Sequence, residues 1–410
     1  MNVENKFLKN QIYLQFFLIF NYILYLSNFP KQIILINSLV IIIIFFNALV
    51  DNSKKRLLFI KLTIILYGII SLGSPLIEWD ARTIWLFHAK RIFFDSSVYS
   101  QFDNYFSISH NDYPLLVASL SSSIAHLMNG WNEILPKFAN VFFMTSPFLF
   151  LSFILKNKIK EIIFVLIILL IMEKRIIVGE IDMLQSLYFV LVVVCFGMLL
   201  FNSANSNKYI LIYTILNLII YSHLRPESFY FSILIFFSAL FINFFKKKKI
   251  KPIVFIYLSF SFIPIFYWKY LVFYSEITTI TQHVFDLNLI WERLFDFYIH
   301  FKILELLFYS KNSIISIIFL SYFIFNFLEF DKKSRSLSYN NNLITNNSIA
   351  FYTLCFAMIY FVVVYITILG GIDLDDMLIE IGRFRYNLPV SITICYAVII
   401  FNYKKYISSI

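Results

Sequence analysis

What most restricts this chain is its series of apolar runs, each close to the roughly 20 residues that a helix needs to cross a bilayer. They cover residues 12–27, 33–50, 57–77, 138–155, 162–178, 183–201, 209–221, 229–245, 252–274, 313–328, 349–369 and 388–401. Inside hydrocarbon a backbone must satisfy its own N–H and C=O groups, so runs of this length leave the helix as their conformation. Composition agrees, because 60% of the 410 residues are hydrophobic, 14% are charged and 8 are glycine, which is unlike a soluble domain. The expected fold is therefore all-α, a polytopic membrane protein of about 12 transmembrane helices.

The chain reads as one integral membrane domain. Residues 1–56 form an added N-terminal hairpin, 57–245 a core, and 246–410 the C-terminal helices with an outer loop at 275–302, which reads as an amphipathic interfacial stretch. The N-terminal run lacks a small-residue cleavage site, so the first helix is expected to remain. Cys195, Cys355 and Cys395 lie inside apolar runs and are too far apart for a metal knuckle or a disulfide framework, so they read as small core residues. No basic patch points to nucleic acid.

A further segment, 115–128, is apolar but carries Ser119, Ser121, Ser122, Ser123 and His126 between Pro114 and Asn129-Gly130. Placed in the interface as a non-spanning helix, it puts every strongly basic loop on one side: Lys54 to Arg56, Lys156 to Lys160, Lys246 to Lys249, Lys332 to Arg335, and Lys404-Lys405. Basic loops stay inside. The expected location is a bacterial inner membrane, with both termini cytoplasmic.

Four charged patches then share the outer face. They are 78–114, 173–182, 223–227 and 373–386. The densest is Glu78-Trp79-Asp80-Ala81-Arg82 through His88-Ala89-Lys90-Arg91, followed by His110-Asn111-Asp112-Tyr113-Pro114. Ionisable groups are costly beside lipid, so such a patch is a functional-site hypothesis by default.

The Trp-Asp-Ala-x-x-x-Trp-x-x-x-Ala-Lys setting of Asp80, the His-x-Asp-Tyr-Pro at 110–114, Gly179-Glu180-Ile181-Asp182, Leu224-Arg225-Pro226-Glu227 and Arg383-Phe384-Arg385-Tyr386 occur in that order. Together they resemble the polytopic glycosyltransferases of the GT-C superfamily, in particular the bacterial branch related to protein O-mannosyltransferases and the aminoarabinose transferase. The resemblance covers roughly 57–245 plus the C-terminal motif. It departs from the family in three respects: three apolar runs precede Asp80, Pro114 stands where the family often has a Pro-Pro pair, and no large soluble domain follows the last helix.

The resemblance implies a polyprenyl-phosphate sugar donor, a glycan or lipid acceptor and no required cofactor. The chemistry needs a base near the acceptor, and a carboxylate serves. Asp80 is the expected base, with Glu78 or Asp182 orienting the acceptor or helping to hold a metal; a divalent metal remains compatible but not required. Growing phosphate charge calls for cations, and Lys90, Arg91, Arg225 and Arg385 are the candidates. His110, Asp112, Tyr113 and Glu227 are expected to contact substrate.

Each assignment has a plainer competitor. Lys90 and Arg91 could snorkel to headgroups, Asp112 could cap a helix, His110 could be a hydrogen-bonded structural group, and Arg225 could simply neutralise Glu227. Asp373, Asp375 and Asp376 suit a solvated acidic loop better than a metal cluster. Two other functions stay open. One is a transporter or flippase of lipid-linked sugars, which would show charged or broken helices at mid-membrane. The other is an envelope polysaccharide polymerase or ligase, favoured only by His283, Arg293 and His300 in the 275–302 loop.

Overall fold

A computed structural model describes residues 3–50, 57–76, 78–99, 109–155, 157–172, 179–201, 208–245, 250–277, 291, 295–298, 301, 311–334, 341–363 and 388–401. Every described element is helical. In order they are α1 (Val3–Leu26), α2 (Lys31–Val50), α3 (Leu58–Gly73), a π turn (Ala81–Trp85) running into α4 (Leu86–Asp95), and α5 (Leu116–Leu127). A 3₁₀ turn (Leu135–Phe138) leads into α6 (Ala139–Leu155), followed by α7 (Lys158–Met172), α8 (Asp182–Phe201), α9 (Lys208–Ser222), α10 (Pro226–Phe245), α11 (Pro252–Ser259) and α12 (Ile263–Tyr274). Three more follow: α13 (Lys311–Ser334), α14 (Asn341–Val363) and α15 (Leu388–Ile400).

Each of the twelve apolar runs contains helix. Among the described residues, five segments are long and apolar enough to cross a membrane: Lys31–Val50, Leu135–Leu155, Asp182–Phe201, Pro226–Phe245 and Pro252–Tyr274. The run at 57–77 is shorter as a helix than its apolar length suggests, because Pro75 follows Gly73-Ser74 and cannot continue the ladder. Three helices end on one device: Asn28, Asn129 and Glu276 adopt positive φ, and the next N–H reaches five residues back, Phe29 to Leu24 at 3.0 Å, Gly130 to Ala125 and Ile277 to Val272 at 3.3 Å. This closure satisfies carbonyls that a helix end leaves orphaned.

The core is organised around α8, which is buried on nearly every side and packs against α6, α9, α10, α14 and α15. A helix apolar all round belongs inside a bundle. By contrast α2, α11 and α12 present large exposed side chains such as Ile36, Ile43, Phe46, Tyr257, Phe266 and Phe273, as a lipid-facing periphery would.

The N-terminal pair is woven into the bundle, with α1 packed against α2, α5, α6 and α9. A neutral polar seam runs along α1. Gln15 donates to the Tyr188 hydroxyl on α8 at 3.1 Å, and Tyr188 donates to the Phe143 carbonyl at 2.9 Å. Asn21 accepts from Asn37 at 3.3 Å and from Ser123 at 3.1 Å, while Tyr25 pairs with Ser122 at 3.2 Å.

The seam revises the expectation for 115–128. Helix α5 is buried from Leu116 to Ser123 and again at Ala125 and His126, against α1, α2, α4 and α6. Its serines face protein instead of headgroups, bonding to α1 and to their own helix. Its 12 residues reach only about 18 Å, well short of a roughly 30 Å hydrocarbon core.

Candidate active site

Three helix starts meet at one arginine. Asp80 opens the helical turn that widens into the π segment Ala81–Trp85, Asp182 is the first residue of α8, and Glu227 follows Pro226 at the start of α10. Proline suits that first position because its missing N–H would have no intrahelical partner. Arg225 lies in the short turn between α9 and α10. Its Nη2 lies 3.8 Å from Asp80 Oδ2 and pairs closely with Asp182 Oδ1, and its Nη1 lies 3.5 Å from Glu227 Oε1.

Among the described residues the cluster holds three carboxylates and one guanidinium, largely out of solvent. Buried charges are expensive in low dielectric. The three carboxylates, however, sit at helix N-termini, where the partial positive charge of the backbone offsets part of their cost. They are not equivalent: the Asp80 side chain is 12% exposed, against 2% for Asp182 and 3% for Glu227.

Backbone geometry supports the approach of Asp80 and Asp182. Gly179, at φ +93°, turns the chain into α8, and a β-carbon there would touch Ala81 Cβ at 3.5 Å and Lys137 Cγ at 3.4 Å. A left-handed residue wedged against the π turn favours glycine. Asn140 on α6 donates to the Glu180 carbonyl at 3.1 Å, and Lys137 donates to the Ser74 carbonyl. A π insertion of this kind is often found at functional sites because it re-aims side chains.

Two residues that the sequence reading did not single out complete the inner wall. Gln185, one turn into α8, donates to Glu227 Oε1 at 3.1 Å and to the Tyr360 hydroxyl of α14 at 3.3 Å. The i, i+3 spacing from Asp182 could have revealed Gln185; nothing in the run 349–369 singles out Tyr360. Tyr221, the buried end of α9, lies within electrostatic reach of Glu227.

The 110–114 motif folds alongside. His110 adopts φ +54° and stacks on Tyr113 with centroids 4.5 Å apart, and Tyr113 lies 5.6 Å from the Trp85 ring. Trp268 of α12 donates to the Asp112 carbonyl at 3.1 Å. His110, Asp112 and Tyr113 are all buried. His88 is enclosed too; its Nε2 donates to the Ser109 carbonyl at 2.7 Å, and burial pushes its pKa down to about 4. His223, two residues before Arg225, is also lowered to about 4 by burial, and its ring meets Tyr22 of α1 edge-on at 5.5 Å.

The structure thus brings together Asp80, Asp182, Arg225 and Glu227. Glu78 lies half-buried just ahead, its carbonyl accepting the Arg82 N–H at 3.2 Å. Of the expected phosphate cations, Lys90 is exposed on α4 and Arg91 is half-buried, its guanidinium 6.0 Å from the Phe87 ring centre. Arg385, the acidic residues at 373–376 and the patch at 173–178 lie outside the described residues, as does most of 275–302. Among the described residues, no group of three His, Cys, Asp or Glu is placed to hold a metal ion. The three carboxylates converge on the guanidinium. The chain matches no family model, no curated protein and no solved structure.

Proposed function

We propose that this chain is a membrane glycosyltransferase, moving a sugar from a polyprenyl-phosphate donor to a hydroxyl of an envelope glycan or lipid on the extracytoplasmic side. The observation that carries this reading is the convergence of Asp80, Asp182 and Glu227 on Arg225, from three segments far apart in the chain. Topology enters the same proposal: twelve spans, cytoplasmic termini, and the cluster at the outer face.

Asp80 is the base. It is the most exposed of the three carboxylates and lies at 3.8 Å from Arg225, so it can turn to an acceptor. The acceptor oxygen forms a bond to the anomeric carbon while its proton passes to Asp80. The bond from that carbon to the phosphate oxygen breaks, and its electron pair leaves with the phosphate. Arg225 holds Asp182 and Glu227 in place around the reacting atoms. Gln185, itself bonded to the Tyr360 hydroxyl, holds Glu227 from behind.

The test compares lipid-linked and envelope glycans by mass spectrometry in a null strain carrying wild type or Asp80→Asn. Loss of a carboxylate base should reduce transfer on the order of 10²- to 10⁴-fold. A wild-type glycan profile from Asp80→Asn at equal expression sinks the mechanism. A second reading, transport of a lipid-linked sugar, is favoured by Lys269, a charged side chain inside the candidate span Pro252–Tyr274. It would appear as donor lipid accumulating on the cytoplasmic side.

A further inference from the structure

Helix α12 enters the site although its sequence, Ile263-Pro264-Ile265-Phe266-Tyr267-Trp268-Lys269-Tyr270-Leu271-Val272, reads as an ordinary apolar run. Three successive side chains face the first loop and the cluster. Tyr267 is within electrostatic reach of Tyr99, Trp268 bonds to the Asp112 carbonyl, and Lys269 is within electrostatic reach of both Asp112 and Glu227. A lysine in such a run is costly unless it has work to do.

Lys269 differs from Arg225 in one respect that matters for an incoming anion. Both terminal nitrogens of Arg225 are already engaged by carboxylates. Lys269 makes no ion pair within 4.0 Å among the described residues, is half-buried, and extends its ammonium over the Phe229 ring of α10 at 6.0 Å. Around it Phe266, Tyr270 and Phe273 are exposed on the outer surface of α12, where acyl or isoprenoid chains would lie. An ammonium between an apolar outer face and a buried acidic cluster is positioned to meet a charged head whose tail stays in the membrane.

We infer that Lys269 receives the phosphate of a membrane-borne substrate, and that Arg225 organises the carboxylates instead of binding that phosphate. This rests on the glycosyltransferase reading for the substrate's identity, but the anion site can be tested without any transfer reaction.

The experiment uses the full chain in nanodiscs of neutral lipid, with decyl phosphate as probe and decanol and inorganic phosphate in parallel arms, followed by tryptophan fluorescence. Decyl phosphate should bind wild type more tightly than either control. Losing one charge-assisted contact, Lys269→Gln should weaken decyl phosphate about tenfold or more, whereas Lys269→Arg, which keeps the charge, should stay close to wild type. Melting temperatures of both variants show whether they are folded. Wild-type affinity in Lys269→Gln overturns the inference, as does loss of binding in a folded Lys269→Arg. Equal binding of decanol removes the role of the anion, and equal binding of inorganic phosphate removes the membrane-borne carrier. If Asp80→Asn leaves glycans unchanged while Lys269→Gln loses decyl phosphate, the transferase reading falls and the anion site stands.

Discussion

Two of the places where the molecule buries polar groups follow different rules. Along α1 they are neutral: Gln15 with Tyr188, Asn21 with Asn37 and Ser123, Tyr25 with Ser122. Amides and hydroxyls both give and accept hydrogen bonds, so such a seam can be closed internally at little electrostatic cost, and it holds helices in register. Around Arg225 the groups are charged, three carboxylates and one guanidinium among the described residues. Helix packing does not require buried charge. A neutral seam reads as adhesive, whereas a buried charged cluster reads as a functional-site candidate.

Perturbing the two regions should therefore give opposite results. The largest structural effect is expected from Arg225→Met, which keeps much of the volume but takes the guanidinium away from Asp182 and Glu227. Removing one partner of a buried ion pair costs about 3–5 kcal/mol, so its melting temperature should fall well below that of Asp80→Asn. If Arg225→Met melts like wild type, the cluster is more solvated than its burial implies.

Acid should act through the histidines near the site. His88 and His223 are held at about 4 by burial, against about 6.5 in an unfolded chain. The unfolded chain binds protons first as pH falls, so their contribution is complete above about pH 6.5 and is lost toward pH 4. Thermal unfolding over that window should show a declining midpoint, and His88→Asn should flatten the slope. An unchanged slope would mean that His88 is already protonated or solvated in the fold.

The smallest effect is expected in the seam. Gln11 is buried with neither amide atom hydrogen-bonded among the described residues, so Gln11→Leu should be neutral or stabilising by about 1 kcal/mol. A drop in stability would show that its amide is satisfied by water and that the seam extends through Gln11.

The sequence alone determined that the chain is helical, because apolar runs of this length allow no other conformation in hydrocarbon. It also picked out Asp80, Asp182, Arg225 and Glu227, since charges bordering such runs are conspicuous. It did not determine which of them touch. Gln185, Tyr360 and Lys269 left little signal because a polar residue in an apolar helix looks alike whether it bonds to a neighbour, snorkels or joins a site. The serines of α5 suggested an interface for the same reason, since a polar face does not reveal whether water or protein covers it. Tertiary packing decided these points by bringing three helix N-termini together at one guanidinium and closing α12 over the first loop. Both depend on contacts between residues far apart in sequence, which no local pattern encodes.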